Sequence, residues 1–245
     1  MKSEDKMGIR LGVLETGRPP EPLAEDYPDY PRMVADWLGM PVTSMTQFAV
    51  LENELPDAPG DADIWVITGS RFGAYDDLPW IKPLEAFIRA CRDANVPMVG
   101  ICFGHQIIAQ ALGGVVVKSD KGWGVGVHEY DVTDWPEALG KAPKKIRLQA
   151  LHQDQVTVMP EGAEKIARSE FCENAAIWYP GFAVTFQGHP EFSTKYASDI
   201  LRIRRGTAIP IDRVDAAMET MDKTPNPEVL AGRIRDWISK GKLAQ

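Results

Sequence analysis

Residues 96–112 force the chain around one kind of corner. An apolar run, Val96-Pro97-Met98-Val99, leads into Gly100-Ile101-Cys102-Phe103-Gly104-His105-Gln106, and the helix-like stretch Ile107-Ile108-Ala109-Gln110-Ala111-Leu112 follows directly. A buried strand must break into a tight turn and enter a helix at once. This is the G-x-nucleophile-x-G elbow, with cysteine where a hydrolase would carry serine. Gly100 and Gly104 omit side chains where the strand and helix backbones approach closely, which lets Cys102 project from a strained turn. A cysteine placed there sits at a helix N-terminus, whose unpaired N–H groups and dipole favour thiolate over thiol.

The rest of the chain supplies a frame for such a corner. Ile9–Leu14 is an apolar run stopped by Glu15-Thr16-Gly17, a proline-rich loop runs from Pro19 to Pro31, and a helix is expected over Pro31–Leu38. Thr46–Leu51 reads as a strand, and Ile64-Trp65-Val66-Ile67 as a strand buried on both faces that ends at Thr68-Gly69-Ser70. Leu78 to Asn95 carries Ile81, Leu84, Phe87, Ile88 and Cys91 at helical spacing. Beyond Gly114 the character changes to β: Val115–Lys118, Val125–Val132, Ile146–Leu151 and Gln155–Met159, then a hairpin of Ala175–Trp178 with Phe182–Phe186. Helices are expected near 195–205, 211–222 and 226–239. The βαβαβα opening predicts an α/β protein with a doubly wound, mostly parallel sheet and helices on both faces. No linker divides the chain, so we expect one domain over 1–245, with a core at about 8–205 and a helical extension at 206–245.

Composition excludes several classes of function. Among 245 residues, 27 basic side chains face 35 acidic ones for a net charge of −8, with no basic cluster to grip a nucleic-acid backbone. The segment Met1-Lys2-Ser3-Glu4-Asp5-Lys6 has no apolar stretch behind it to act as a secretory signal, and no apolar run is long enough for a bilayer. Three cysteines (Cys91, Cys102, Cys172) are an odd count without metal-ligand spacing, so neither a disulfide framework, a metal nor another cofactor is expected. A cytoplasmic, reducing location suits a working thiolate.

The elbow cysteine needs a base, and the chain offers four histidines. His105 begins the following helix and points along it; a capping or packing role competes with a functional one. His128 reads as a strand residue. His189 ends an apolar strand, follows Gly188 and opens His189-Pro190-Glu191. Pro190 disfavours the α region for its predecessor, and on an extended chain residues two apart share a side. Glu191 is therefore placed to accept the far N–H of His189 and fix the tautomer that takes the thiol proton. An α/β-hydrolase would run nucleophile, acid, histidine; here the acid comes last.

Together, Gly-Ile-Cys102-Phe-Gly-His-Gln and Phe-Gln-Gly-His189-Pro-Glu191 resemble the class I, triad-type glutamine amidotransferase superfamily over roughly Gly8 to Phe192. The resemblance implies its flavodoxin-like fold and a Cys102-His189-Glu191 triad that attacks the side-chain amide of glutamine or a γ-glutamyl compound through a γ-glutamyl thioester. It implies one oxyanion-hole N–H from Phe103 and a second from the loop at Thr68-Gly69-Ser70-Arg71, assigned to Ser70. It further implies substrate contacts from Gly69, from Gln106 and from the loop residues His152, Gln153 and Asp154. The elbow and the Gln-Gly-His-Pro-Glu-Phe motif look closest to stand-alone members, the GMP-synthetase-like amidotransferases and plant γ-glutamyl peptidases.

Three functions follow: a self-sufficient γ-glutamyl hydrolase, a glutaminase subunit handing ammonia to a separate synthetase chain, and a catalytically silent binding relative. A small-molecule γ-glutamyl substrate is the expected partner, with a synthetase in trans and a homodimer left open. Lys121-Gly122-Trp123-Gly124-Val125-Gly126-Val127-His128 either shapes the acceptor side of the pocket or is a plain turn between strands. Trp123, Trp135 and Trp178 are candidates to line a pocket for an apolar leaving group, although a buried tryptophan belongs to the core more often than to a ligand site.

Overall fold

The computed structural model describes residues 8–243, so the charged N-terminal segment discussed above lies outside the described residues. The strands are β1 (Leu11–Leu14), β2 (Met45–Phe48), β3 (Ile64–Ile67), β4 (Met98–Ile101), β5 (Val115–Lys118), β6 (Gly124–Val132), β7 (Lys145–His152), β8 (Asp154–Val158), β9 (Glu164–Arg168), β10 (Ala176–Tyr179) and β11 (Ala183–Phe186). The helices are α1 (Tyr30–Leu38), α2 (Ile81–Asp93), α3 (Phe103–Ala111), α4 (Thr194–Arg204), α5 (Ile211–Met218) and α6 (Glu228–Leu243). Their ends obey local rules. The Asp29 side chain accepts the Arg32 N–H to start α1, and Gly39 at φ 62° closes it. Ser193 caps α4 by accepting from the Tyr196 N–H.

A nine-stranded sheet runs β2-β1-β3-β4-β11-β10-β9-β6-β7. Its first five strands are parallel and form the doubly wound half; from β11 onward the neighbours are antiparallel. Strands buried on both faces need apolar side chains everywhere, and β1, β3, β4 and β11 are buried at every position. Val13, Val66, Val99 and Val184 pack on one face with Val34 and Leu38 of α1 and Leu230 and Ile234 of α6. Leu14, Trp65, Ile67 and Met98 pack on the other with Leu84 and Ile88 of α2 and Ile107 and Ile108 of α3. The C-terminal helices thus share the sheet's core: α6 covers one face, and Val214 and Ala217 of α5 meet Val125 of β6.

One expectation shifts, and two features lie beyond it. The strand anticipated over Thr46–Leu51 stops at Phe48, because a 3-10 turn at Val50–Glu52 ends in Asn53 at φ 68° and the Leu51 N–H turns back to the Glu15 carbonyl. The segment β5 does not join the main sheet but pairs antiparallel with β8. Strand β9 was not anticipated: Glu164-Lys165-Ile166-Ala167-Arg168 has only two apolar residues in succession, and it becomes a strand because β10 and β6 flank it.

Candidate active site

Cys102 occupies the break between β4 and α3 at φ 51°, ψ −99°, a conformation an L residue holds at a cost of about 1–3 kcal/mol. The Cys102 N–H donates to the Phe186 carbonyl at 2.8 Å, so β11 holds the strained peptide from the side. The elbow closes this tightly only because of its glycines: a Cβ on Gly104 would stand 2.3 Å from the Ile67 carbonyl oxygen, and one on Gly100 would stand 2.6 Å from that of Gly104.

Strands β4 and β11 are parallel neighbours with Ile101 opposite Phe186, so Cys102 and Gln187 leave the sheet at the same carboxyl edge. Such edges are where open α/β sheets hold ligands. His189 is kept extended by more than Pro190: its N–H donates to the Gln149 carbonyl at 2.7 Å in an isolated antiparallel bridge. Gln149 belongs to β7, the far edge of the sheet, which returns to the site and carries the 151–154 segment with it.

The geometry within this pair is close. His189 Nδ1 lies 2.7 Å from Glu191 Oε1, with both side chains buried. Cys102 lies near enough for its charge to act on the ring. Burial works against charging His189, yet the negative charges of Glu191 and Cys102 outweigh it and raise its pKa well above the ordinary 6.5. Phe192 lies flat on the imidazole, with ring centroids 4.0 Å apart and planes 7° from parallel. Opposite, a Cβ on Gly69 would stand 2.8 Å from His189 Cε1, so that loop needs glycine to pass the ring. Thr16 pins the same loop through its N–H to Thr68 Oγ1 at 3.0 Å.

The remaining expected positions fall around this centre. Phe103 opens α3, so its N–H has no carbonyl one turn earlier to bind. The Ser70 N–H likewise has no acceptor among the described residues, while Ser70 Oγ accepts from the Phe72 N–H at 3.3 Å. Gln106 is buried and donates to the Asp154 carbonyl at 3.0 Å and to Gln187 Oε1 at 3.2 Å. His152 is buried with Nδ1 3.2 Å from the Asp154 carbonyl; burial holds its pKa down at about 3, so the ring is neutral with Nδ1–H donating. Its Nε2, left as an acceptor, has no protein partner among the described residues. Asp154 has its pKa raised by partial burial.

Two cavities flank the cysteine and histidine. The first, about 340 Å³, is lined by His189, Tyr30, Phe192 and the 16–21 and 69–72 loops. The second, about 460 Å³, is lined by Cys102, Gln106, Lys118, Trp123 and 152–154. Ser70, Arg71, Phe72, Leu151 and Arg204 border both.

Other candidates go elsewhere. His105 is a packing residue, buried with Nδ1 2.8 Å from Thr185 Oγ1 and pKa lowered to about 3 by burial. Of the three candidate tryptophans, Trp123 lines the second cavity, whereas Trp178 is buried in the core against Trp237 and Trp135 packs at that core's margin under Arg233. The glycine-dense segment is a turn leading into β6. Gly126, at φ 92°, lets β6 pass Ala217 and Thr220, while Lys118 and Trp123 on either side of the turn face the second cavity. Sequence reasoning missed Gln187, whose Nε2 donates to Cys102 Sγ at 3.8 Å, and also Phe192, Arg71 and Arg204. Gln187 had a signal: Thr185, Gln187 and His189 are polar residues at alternate positions in an otherwise apolar run. Among the described residues no cluster of His, Cys, Asp or Glu could hold a metal ion, and no helix is long and apolar enough to cross a membrane.

An α/β sheet with a cysteine elbow at its carboxyl edge, facing a histidine–glutamate pair, meets a family match here. The chain matches the glutamine amidotransferase class-I family over residues 58–203, more than half its length, and belongs to that family. It is 32% identical over 237 residues to a glutamine amidotransferase-like protein of Schizosaccharomyces pombe, covering 90% of this chain and 94% of that one. It is 30% identical over 208 residues to gamma-glutamyl peptidase 4 of Arabidopsis thaliana, covering 80% and 82%. It is 39% identical over 112 residues to a glutamine-hydrolyzing GMP synthase subunit of Methanosarcina acetivorans, covering 45% and 59%. The fold is that of a glutamine amidotransferase structure from Methylobacillus flagellatus, at a TM-score of 0.71 and 23% identity over 92% and 94% of the two chains.

Proposed function

We propose that this chain hydrolyses γ-glutamyl amides by nucleophilic catalysis at Cys102. The observation that carries the reading is the convergence of a strained elbow cysteine with a buried His189–Glu191 pair whose raised pKa keeps the imidazole charged beside the sulfur. The Cys102 thiolate attacks the amide carbonyl carbon, and the oxygen takes the negative charge between the N–H groups of Phe103 and Ser70. Such donors are worth about 3–4 kcal/mol each in the transition state. His189, held by Glu191, gives its proton to the amide nitrogen as the C–N bond breaks, and the amine departs. Water then attacks the γ-glutamyl thioester with His189 taking its proton. Glutamate leaves and the thiolate–imidazolium pair is restored.

The glutamyl arm occupies the second cavity, beside Cys102 and Gln106. Its α-ammonium faces His152 Nε2 and the Asp154 carboxylate, and its α-carboxylate faces Lys118; Gln153 completes the wall, and Gly69 lines the neighbouring first cavity. We read the chain as one catalytic domain, because α6 is buried in the same core as β1 and β3. The similarity to gamma-glutamyl peptidase 4 supports γ-glutamyl hydrolysis. The similarity to the GMP synthase subunit of Methanosarcina acetivorans supports the alternative, a glutaminase working beside a synthetase. A reducing compartment such as the cytoplasm suits the mechanism, and all three cysteines are free.

The test follows glutamate release by the purified chain from glutamine and a panel of γ-glutamyl amides, with Cys102→Ala as control. Turnover that vanishes in Cys102→Ala is expected. Turnover that persists in the variant, or none on any substrate, overturns the reading.

A further inference from the structure

We propose that Phe192 is a positioning residue of the reaction: the face of its ring fixes the plane of the His189 imidazole and favours that imidazole in its protonated, acid form. This rests on the hydrolytic reading above and gives the histidine a second hold beside Glu191.

One turn supplies both holds. The bends from His189 through Glu191 bring the carboxylate to the edge of the imidazole and Phe192 to its face. The two contacts restrain different motions. The 2.7 Å contact at Nδ1 fixes one point of the ring and leaves it free to tilt about that point. A second ring 7° from parallel, with centroids 4.0 Å apart, removes the tilt. Phe192 is itself held. It is 5% exposed and packs against Tyr30 of α1, at a centroid distance of 5.4 Å, and Tyr196 of α4, at 4.6 Å. The two tyrosine hydroxyls meet at 3.0 Å, so two helices brace the stack.

The stack also bears on charge. Neutral aromatic rings favour edge-to-face or offset arrangements over direct overlap, because their π faces repel. An imidazolium reverses that preference, since its positive face lies on the negative face of the phenyl ring. The 4.0 Å separation is well inside the roughly 6 Å over which a cation acts on such a face. Glu191 on the same turn and Cys102 at the elbow also favour the charged ring. His152 of β7 is neutral, and burial keeps the Tyr30 and Tyr196 phenols protonated. Arg18, Glu21, Arg71 and Arg204 border the cavity that His189 lines; Arg18 is paired with Glu15 and Glu52, and the other two arginines oppose the charge. Phe192 is the contact that can be tuned without adding or removing a charge.

The experiment keeps the shape of the ring and changes its electrons. Phe192 is replaced by mono-, di- and trifluorinated phenylalanine, each fluorine drawing charge off the π face. Nitrogen NMR follows the titration of the His189 imidazole, and kcat/KM on glutamine follows the alkaline limb. Both midpoints should fall stepwise with fluorine number, by about half to one and a half pH units in all. That is a roughly two- to thirtyfold change in the protonation equilibrium, the span of a cation–π contact. Phe192→Leu should move the limb at least as far and lower kcat more than it raises KM. Should Phe192→Leu fail to fold, the fluorine series decides alone. A His189 midpoint that is the same across that series overturns this inference alone, whatever Phe192→Leu does to the rate, because a residue that only packs tolerates fluorine. No hydrolysis by the wild-type chain of glutamine or any γ-glutamyl amide overturns the hydrolytic reading and this inference with it.

Discussion

The Cβ that Gly69 lacks would stand 2.8 Å from Cε1 of His189 and 3.7 Å from the Cβ of Cys102. The first distance is inside van der Waals contact and the second is ordinary, so an added methyl presses on the imidazole and leaves the elbow alone. Gly69 does not have a positive φ, and its backbone tolerates alanine. Gly69→Ala should therefore shift the ring off its line to the sulfur. A displacement on the order of 1 Å costs about a hundredfold in rate. We expect kcat to fall by about that factor while the melting temperature stays near wild type. Unchanged kcat would remove His189 from the proton path.

Cys102 separates strain from chemistry. Its φ of 51° is paid for by packing around β4 and α3. Cys102→Ala keeps the strain and loses the sulfur; Cys102→Gly loses both. After allowing for the greater freedom of glycine in the unfolded chain, Cys102→Gly should be the more stable of the two by about 1 kcal/mol. For a chain of this size that is about 2–4 °C in melting temperature. Calorimetry of the two variants reads it directly, and a less stable glycine variant would mean that the elbow is not strained.

How much of this was legible in the sequence follows from how local each signal is. The elbow, the parallel half of the sheet and the His-Pro-Glu turn are written in adjacent residues: glycines at fixed offsets, short apolar runs, a proline. The structure accordingly brings Cys102, His189 and Glu191 together at one sheet edge. What escaped is non-local. Strand β9 is charged and forms only because β6 and β10 hold it, and Gln149 reaches His189 only because the last strand of the sheet returns to the site. Arg71 and Arg204 are more than a hundred residues apart and carry no local pattern that sets them apart from other surface arginines. Trp178 shows the opposite limit: the sequence left pocket wall and core both open to it, and its place on β10, buried at every position, puts it in the core.

The His189–Glu191 pair sets a pH dependence with a defined sign. Burial lowers the His189 pKa, while Glu191 and Cys102 raise it further than burial lowers it. The alkaline limb of kcat/KM, where the general acid loses its proton, should lie well above the 6.5 of an ordinary histidine. Glu191→Gln removes the largest raising influence, so the limb should move to lower pH by about a unit or more. Stability follows the same linkage. A pKa raised by folding contributes stability fully below 6.5 and loses it as pH rises through the folded value. The stability advantage of wild type over Glu191→Gln should be greatest near pH 6 and shrink toward pH 10. An alkaline limb that does not move would show that Glu191 only packs.

Gln187 joins Cys102 to Gln106 and, through it, to Asp154. It is fully buried; its Nε2 donates to Cys102 Sγ at 3.8 Å, and its Oε1 accepts from Gln106, which also holds the Asp154 carbonyl. Gln187→Leu keeps the bulk and deletes both bonds. A hydrogen bond of this kind is worth about 0.5–1.5 kcal/mol, roughly two- to tenfold in the reactivity of the sulfur it holds. The alkylation rate of Cys102 by iodoacetamide at neutral pH should fall by that factor. Cys91 and Cys172 will not obscure the signal, because burial pushes both thiols up to about 12. KM for the γ-glutamyl substrate should rise in the same variant, since Gln106 loses one of its two anchors. An alkylation rate equal to wild type with KM unchanged would reduce Gln187 to filler in the core; a slower rate with a higher KM would make it the link through which the nucleophile and the glutamyl cavity are held in register.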